Sequence, residues 1–345
     1  MRLLVSKTVG GRVSVPHANV EVIPNIGLSS LRATLRHAKA YRPNIIYERR
    51  FSPKLGSIVS LLTRVPYFLE INGLPEYEGA PSRSAVVRGM GGRFMRPAYR
   101  VAKRIIVPSE RLADLLGSLL SLPRRSFSVI QNGVDLSLFE GRDRTAARRL
   151  LGLPLNKKIV VYVGKLAAWQ GLETLVDCAQ HLGQISEIHV LLVGDGPLRE
   201  SLLARIATKH LDETVGFTGP VPHEKIPTFL AAADVCVAPF SRSRNDLVGI
   251  SPIKLFEYLA AGRSVVASDV SGVREIVQDA GILVAPDSAT ALASAISDLL
   301  SDSARLTRLE KRAAELAAGN SWEDRARAIL DVVRLPPDST GSRRR

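Results

Sequence analysis

The sequence is poor in cysteine and in aromatic residues. Cys178 and Cys236 are the only two cysteines among 345 residues, and phenylalanine, tryptophan and tyrosine together make up 5%. Two cysteines, one in a helix-like and one in a strand-like segment, are too few for the disulfide framework of a small secreted domain. We therefore predict that both thiols are buried as small apolar side chains and that the protein is cytoplasmic.

Long hydrophobic runs are also missing. No apolar stretch approaches the length of a membrane span, and no secretory signal is visible. The six histidines show no metal-ligand spacing and there is no Asp-x-Asp stretch, so we expect neither a metal nor a cofactor. The length of 345 residues and the hydrophobic content of 46% predict a globular protein of two domains.

Acidic residues are scarce in the first part of the chain. Residues 1–134 hold 7 Asp and Glu against 21 Lys and Arg, whereas the remaining residues hold 26 of each, so the first part carries the whole net charge of +14. Within it, Arg93, Arg96 and Arg100 fall on one face of a basic amphipathic segment, although Pro97 should break or kink a helix there. Such a segment suits an anionic membrane surface, and a solvated surface is the alternative. No nucleic-acid-binding module is recognisable, so we expect no nucleic-acid partner.

Strand-like and helix-like segments alternate along the chain, which is the pattern of doubly wound parallel α/β sheets. Strands are predicted at Leu3–Val5, Val20–Ile23, Ile45–Tyr47, Tyr67–Ile71, Arg104–Val107, Ser128–Gln131, Ile159–Val163, Ile188–Val193, Val215–Phe217, Val235–Ala238, Ser264–Ala267 and Gly281–Val284. A domain boundary is predicted near Asn132–Arg148.

The segment 249–259, Gly-Ile-Ser-Pro-Ile-Lys-Leu-Phe-Glu-Tyr-Leu, predicts a loop that opens a helix. Pro252 fits the first helical position, and the free N–H groups of a helix N-terminus attract anions such as phosphate. Lys254 would add a mobile cation, and Glu257 offers two acceptor oxygens suited to a pair of sugar hydroxyls. The alternative is an ordinary amphipathic surface helix capped by Ser251.

Six motifs, in the same order and spacing, resemble those of the retaining glycosyltransferases of family 4. They are Val129–Asp135, Val161–Leu166 with Trp169-Gln170-Gly171, Leu191–Pro197, Phe217–Val221, Ala232–Val235 and the segment 249–259. The resemblance is strong over about residues 100–335 and looser over 40–75. Each motif is weak alone, but six in register are hard to obtain by chance.

The resemblance implies the GT-B fold, an α/β architecture of two Rossmann-like doubly wound domains facing a cleft. The expected parts are an acceptor-side domain at 1–140, a nucleotide-sugar domain at 141–320, a helix at 321–335 that crosses back, and a disordered tail at 336–345. The implied activity is transfer of a sugar, with retention, from a nucleotide-sugar to a glycan or lipid-linked acceptor. The implied location is the cytoplasmic membrane face, in polysaccharide or glycolipid biosynthesis.

The resemblance also identifies cations for the donor diphosphate. Lys165, after Gly164, fills the first cationic position of the family, whereas Gln170 stands where a second cation is usual. We infer that Lys254 compensates. The backbone of Ile250, Ser251 and Pro252 is expected to hold the phosphates as well, and Phe217 and Gly219 are expected to border the nucleobase.

The family has paired glutamates eight positions apart, and only the second is present. Glu257 matches it and by resemblance binds the ribose hydroxyls. Gly249 occupies the position of the first, whose carboxylate normally meets the transferred sugar, and Asp246 is the nearest replacement. Lys165, Lys254 and Glu257 are therefore the predicted catalytic residues. Asp195, in a turn similar to one of the family, is interpreted as a helix cap.

Polar residues at the ends of two predicted strands form the candidate acceptor side. Glu48 and Arg49 follow one strand, and Asn72 ends the next. Asn72 stands near a position where many relatives have histidine, and it cannot act as a base. These residues line the acceptor site or form a loop salt-bridge cluster, and the sequence leaves both open.

Three features weaken the match. Besides Gln170 and Gly249, only about twenty residues precede Val20, where the family has a longer segment. Gly10-Gly11 is either a compressed glycine-rich turn or an ordinary hairpin, and we favour the hairpin, which implies a missing first strand–helix unit. The rival hypotheses are a non-catalytic GT-B subunit that binds nucleotide or a partner enzyme, and a nucleotide-sugar epimerase.

Overall fold

The computed structural model describes residues 2–5, 19–22, 28–49, 55–74, 96–182 and 187–334. By packing, the chain divides into two units. One takes the described residues within Met1–Val107, Ala113–Val129 and Leu330–Arg345, and the other takes those within Pro108–Leu112 and Ile130–Ile329. The boundary predicted near residue 140 stays a prediction.

The first unit is built on short parallel strands. A two-stranded sheet pairs β1 (Arg2–Val5) with β2 (Asn19–Val22). A four-stranded sheet runs in the order β3 (Ile46–Arg49), β4 (Tyr67–Glu70), β5 (Arg104–Val107) and β6 (Phe127–Val129). The helices of this part of the chain are Leu28–Tyr41, Leu55–Thr63, a segment over 96–101, and Glu110–Leu120.

The pairing of the first two strands limits how the chain can connect them. The strands β1 and β2 are parallel, with Arg2 opposite Asn19 and Val5 opposite Val22. A hairpin joins antiparallel strands, whereas parallel strands need a longer crossover. The strands β1 and β2 are therefore not the two arms of one hairpin; the predicted turn at Gly10-Gly11 lies outside the described residues and stays a prediction.

The second unit has a six-stranded, wholly parallel sheet. Its order is β12 (Gly281–Val284), β11 (Ser264–Ser268), β10 (Val235–Ala238), β7 (Lys158–Val163), β8 (Ile188–Val193) and β9 (Val215–Gly219). The chain adds strands in one direction from β7 to β9, and then on the other side of β7 from β10 to β12. This reversal is the topological switch point of a doubly wound sheet.

Helices separate the strands of the second unit and continue to the end of the described chain. They cover Arg144–Leu151, Leu172–Leu182, Arg199–Thr208, Ile226–Ala232, Arg242–Val248, Ile253–Ala260, Arg274–Val277, Ala289–Ser301, Ser303–Ala317 and Trp322–Arg334. The α/β prediction with two parallel-sheet domains is confirmed.

The central sheet is buried on both faces. Along β7, Ile159 and Val161 pack into one hydrophobic cluster while Val160 and Tyr162 pack into the other, and all four are 0% exposed. Successive side chains of a strand point to opposite faces, so a strand covered on both faces has a continuous apolar sequence. Cys178 and Cys236 lie in these clusters as buried free thiols, as predicted, and burial raises the pKa of the Cys178 thiol to about 12.

A buried ion pair attaches the helix Arg144–Leu151 to the sheet. The Arg148 guanidinium lies 2.5 Å from Asp234 Oδ2, and both side chains are less than 10% exposed. The same carboxylate oxygen accepts a hydrogen bond of 2.7 Å from the Ile159 amide, and Arg148 Nε donates to the Ala232 carbonyl at 2.9 Å. Each charged atom therefore has a partner, as burial of a charge requires.

Only the end of the predicted basic segment is described by the structure. The described helical residues 96–101 include Pro97. Arg96 is partly buried, and its guanidinium donates to the Leu119 carbonyl at 3.0 Å. Arg100 is exposed, and Arg93 lies outside the described residues, as does the predicted disordered tail. None of the helices that the structure describes is long and apolar enough to span a bilayer.

Candidate functional site

Three glycines meet at the carboxyl end of the sheet in the second unit. Gly164, Gly194 and Gly219 follow or end β7, β8 and β9, and their backbones are joined by Gly194 N–H donating to the Gly219 carbonyl at 3.2 Å. Gly164 and Gly194 have φ of +138° and +136°, and a Cβ on Gly194 would overlap the Gly164 carbonyl. Only glycine fits these turns. They form a bare-backbone surface at the sheet edge where doubly wound folds bind ligands.

Lys254 lies directly beside this surface. Its Nζ lies 2.7 Å from Gln170 Oε1 and 3.9 Å from the centroid of the Tyr162 ring, and a Cβ on Gly164 would lie 2.7 Å from the same nitrogen. The residue is 9% exposed. Burial lowers the pKa of Lys254 well below its usual value, and the charge of Glu257 opposes this shift. The expectation of a mobile cation is therefore wrong, because this lysine is held in place by Gln170 and an aromatic ring.

The loop before the helix Ile253–Ala260 is held by Asn132. The Asn132 amide N–H donates to Ser251 Oγ at 3.1 Å, and its side-chain Nδ2 donates to the Ser251 carbonyl at 2.6 Å. Pro252 is the N-cap, with φ −74° and ψ 127°, and it accepts the first intrahelical bond from Leu255 N–H. Neither local expectation holds, since Pro252 is not the first helical residue and the Ser251 hydroxyl does not cap the helix. The N–H groups of the helix's first two residues precede that first bond and are placed to meet an anion.

Glu257 follows Lys254 by three residues, about one turn of the same helix. Its side chain is 9% exposed, and Oε1 lies 3.0 Å from Nε2 of His223. His223 begins a 3-10 turn, His223–Lys225, that follows β9, and its side chain is 64% exposed. Reasoning from the sequence considers the histidines only as possible metal ligands and does not predict this contact. Among the described residues, no three His, Cys, Asp or Glu side chains converge in an arrangement that could hold a metal.

Lys165 is exposed at the same edge and shares an aromatic ring with a second cation. Its Nζ lies 5.8 Å from the centroid of the Trp169 ring, and the Arg244 guanidinium carbon lies 4.9 Å from it. The neighbouring Asn245 is fully buried and donates to the Trp169 carbonyl at 2.8 Å, which fixes the helix Arg242–Val248 against this turn. Arg244 is a cation of the site that no sequence motif indicated.

The structure explains why position 249 is a glycine. Gly249 has φ +68°, and a Cβ there would lie 2.6 Å from Arg111 Cβ and 2.7 Å from Ser109 Oγ. A glutamate would clash at this backbone position. The suggested replacement, Asp246, accepts from the Ser271 amide at 3.0 Å and pairs with Arg242 at 3.1 Å.

Phe217 and Gly219 lie on β9 at the predicted base-binding edge. Phe217 is partly buried against the hydrophobic core, and a Cβ on Gly219 would lie 3.1 Å from the Arg199 guanidinium. Asp195 does not cap the following helix, which begins after Leu198, so that interpretation is wrong. Its carboxylate instead accepts from the Gly196 amide at 2.8 Å and pairs with Arg199 at 3.7 Å.

In the first unit, Glu70 brings two of the three predicted acceptor residues together. Its buried carboxylate lies 2.9 Å from Asn72 Nδ2 and 3.2 Å from Arg49 Nε, and it also accepts from the Tyr47 hydroxyl. Glu48 points to the other face of β3, as neighbouring strand residues must, and accepts from the Tyr67 hydroxyl at 2.7 Å. The salt-bridge cluster therefore exists around Glu70, and the Tyr67 contact lies on the opposite face of the strand.

The glycine turns, the held cation and the helix N-terminus lie at the carboxyl ends of the strands of the second unit, where doubly wound sheets bind ligands, and two parallel-sheet units are the architecture of the GT-B class. Family models agree. The model described as glycosyl transferases group 1 matches residues 157–302, and that of glycosyltransferase family 4 matches residues 7–138. The chain belongs to the family 4, group 1 glycosyltransferases.

Individual relatives support this assignment. The D-inositol 3-phosphate glycosyltransferase 1 of Catenulispora acidiphila is 30% identical over 82% of this chain and 70% of that protein. The D-inositol 3-phosphate glycosyltransferase of Nocardia farcinica is 32% identical over 67% of this chain, which spans about half (52%) of that relative. Among solved structures, Anabaena HepE in complex with UDP has a TM-score of 0.71 at 21% identity, covering 91% of this chain and 85% of that one.

Proposed function

We propose that this protein transfers a sugar, with retention, from a nucleoside-diphosphate sugar to a glycan or lipid-linked acceptor. The observation that carries the proposal is the placement of Lys254 and Glu257 about one turn apart on the helix Ile253–Ala260, beside the Gly164 turn. A cation and a carboxylate at this spacing suit a phosphate and a ribose. The relatives are named as glycosyltransferases, and the similar Anabaena protein binds UDP.

In this proposal, the donor lies along the carboxyl edge of the sheet. Lys165 and Lys254 bind the diphosphate, together with the backbone of residues 250–252 and the first N–H groups of the helix. Glu257 binds the ribose hydroxyls. Phe217 and Gly219 border the base, whose edge is contacted by backbone groups of β9.

The chemistry we propose uses no metal and no cofactor. Negative charge develops on the departing diphosphate, and fixed cations and N–H dipoles stabilise it. Retention follows from a front-face attack in which the departing phosphate takes the acceptor proton. This suits Asn72, which has no basic group, and the neighbouring Arg49, whose side chain is 63% exposed and able to contact an acceptor.

We also propose that the protein works at the cytoplasmic face of a membrane. The helix Leu55–Thr63 exposes Ile58, Leu61 and Leu62 by 42%, 67% and 63%, at the i, i+3, i+4 spacing of a single face. Such a face, in the basic half of the chain, suits anionic lipids. Liposome sedimentation tests this: Leu61→Ser with Leu62→Ser should reduce binding to anionic vesicles, and undiminished binding would count against it.

The function is tested first by donor binding and then by turnover. Thermal unfolding with UDP, GDP, ADP and dTDP should show stabilisation by one of them, about 2.7 kcal/mol at a hundred times its dissociation constant. Glu257→Ala should remove most of the effect.

Turnover of the matching nucleotide-sugar by the isolated protein separates an enzyme from a non-catalytic nucleotide-binding subunit. The glycine at position 249 and the glutamine at position 170 favour the second alternative. Nucleotide binding without turnover in the presence of candidate acceptors would establish the non-catalytic subunit.

A further inference from the structure

Two charged residues of the helix Ile253–Ala260 are each held by a polar side chain from a different turn. Lys254 is held by Gln170, from the 3-10 turn Ala168–Gln170 after β7. Glu257 is held by His223, from the 3-10 turn after β9. The two turns belong to strands on opposite sides of β8 in the sheet. The contact between Gln170 and Lys254 lies at the proposed diphosphate site. The contact between His223 and Glu257 has no role in the proposed function.

We propose that His223 is a positioning residue that orients the Glu257 carboxylate for the two ribose hydroxyls. The inference rests on the proposed function, since it assigns a second residue to the same nucleotide site. His223 does not itself touch the reacting atoms. It acts through the carboxylate oxygen that it contacts.

The geometry gives the contact this role. A carboxylate has about four acceptor positions on its two oxygens, and one hydrogen bond to Oε1 leaves positions on both oxygens for hydroxyl donors. Glu257 has a long side chain with several rotamers, and a bond of 3.0 Å to one oxygen restricts the plane of the carboxylate. The ring stands at the solvent-exposed side, because His223 is 64% exposed while Glu257 is 9% exposed. The imidazole thus fixes a buried acceptor from its open side.

The exposure of the His223 side chain also argues against a packing role. A side chain that is mostly in solvent contributes little to the core, so its removal should leave the fold intact. The residue can therefore be tested by substitution. Gln at position 223 keeps a side-chain N–H donor of similar reach, whereas Ala keeps none.

The experiment compares ribose and dideoxyribose forms of one nucleotide. Wild type is first titrated calorimetrically with UDP, GDP, ADP and dTDP, and the tightest of the three ribonucleotides is chosen, because dTDP already lacks the 2′-hydroxyl. Its ribose and 2′,3′-dideoxy forms are then titrated into wild type, His223→Ala, His223→Gln and Glu257→Ala. Glu224→Ala, exposed on the same turn, is the matched control. Circular dichroism and thermal unfolding check that each variant is folded.

The expected result is selective for the ribose hydroxyls. His223→Ala should weaken binding of the ribose nucleotide by about tenfold, as for loss of a hydrogen bond to a charged group, and binding of the dideoxy form by less than about twofold. His223→Gln should restore most of the affinity, and the control should bind as wild type does. In the Glu257→Ala background, His223→Ala should have no further effect, because the residue acts only through that carboxylate.

Three results would overturn the inference alone. They are unchanged affinity in His223→Ala, an equal loss for both nucleotide forms, and tighter binding, which would mean that the imidazole blocks the carboxylate. Failure of wild type to bind any of the four nucleotides is a different result, and it would overturn the proposed function together with this inference.

Discussion

Replacing Lys254 by methionine removes an amino group that the fold keeps away from water. The residue is 9% exposed, and its Nζ contacts Gln170 Oε1 and lies over the Tyr162 ring. Burial lowers the pKa of Lys254 well below its ordinary value, with the charge of Glu257 opposing the shift. Methionine has similar length and no charge to desolvate. Lys254→Met should therefore leave the ligand-free protein at least as stable near neutral pH, and should weaken nucleotide binding.

The sign of the pH dependence follows from the direction of the shift. The unfolded chain holds a proton on this lysine up to a pKa of about 10.4. The folded protein releases it at lower pH. Between these two values unfolding takes up one proton, so the free energy of unfolding rises with pH, by at most about 1.4 kcal/mol per pH unit. This contribution of Lys254 to the free energy of unfolding is complete above the pKa of Lys254 in the unfolded chain. It is lost as the pH falls from that pKa towards the lower pKa of Lys254 in the folded protein.

Urea unfolding at pH values stepped down from about 9.5, followed by tryptophan fluorescence, measures this slope. The free energy of unfolding of Lys254→Met should depend less steeply on pH than that of wild type, by up to about 1.4 kcal/mol per pH unit. Glu257→Gln removes the charge that favours the ammonium, so its slope should extend to lower pH than in wild type. Equal slopes in wild type and Lys254→Met would refute the reasoning.

Lys254 should also take up a proton when a diphosphate binds. A dianionic phosphate near Nζ favours the ammonium form and raises its pKa in the complex. Calorimetric binding enthalpies measured in buffers of different ionisation enthalpy should therefore differ for wild type. The difference should be absent in Lys254→Met, provided that this variant still binds.

Three further substitutions test the packing that supports the site. Arg148→Ala removes one of the two cations paired with the buried Asp234, leaving Arg144 at 3.6 Å, and should cost up to about 3 kcal/mol in urea unfolding; Arg148→Met with Asp234→Asn should recover part of it, and a single substitution with no cost would contradict the account. Gly164→Ala should lower stability by about 1–3 kcal/mol and weaken nucleotide binding, because φ is +138° and the methyl group meets the site lysine. Gly249→Glu should fail to gain transfer activity and should lower the melting temperature, because its side chain meets Arg111; increased turnover at unchanged stability would show the loop to be adaptable.

The sheet of the second unit could be predicted from sequence for a simple physical reason. A parallel strand covered on both faces has a continuous apolar sequence, as in Ile159–Val163, and such runs separated by amphipathic helices are hard to misread. The helices Arg144–Leu151 and Arg242–Val248 are harder to predict from hydrophobic periodicity, because the first is short and holds three arginines and the second has only two apolar residues. The first had a detectable signal. Asp143 caps its start through the Ala146 amide at 2.7 Å, and Gly152 ends it in the left-handed conformation.

The site could be predicted only where its residues are close in sequence. Lys254 and Glu257 share one helix, so their spacing alone places them about a turn apart. Their partners Gln170 and His223 come from other turns, 84 and 34 residues away. No local pattern reports a contact across that distance. The environment of Lys254, which turns an expected mobile cation into a buried one, depends on those contacts in the same way.

The two turns that hold the helix Ile253–Ala260 give the site a modular arrangement. Among the side-chain hydrogen bonds that the structure describes, Gln170 bonds to Lys254 and His223 bonds to Glu257. A change at position 170 alters the charge environment of the proposed phosphate site without touching the ribose contact, and a change at 223 does the reverse. Sequence drift or engineering can therefore adjust the proposed leaving-group stabilisation and the proposed recognition of the nucleoside sugar one at a time, although both residues lie on one helix.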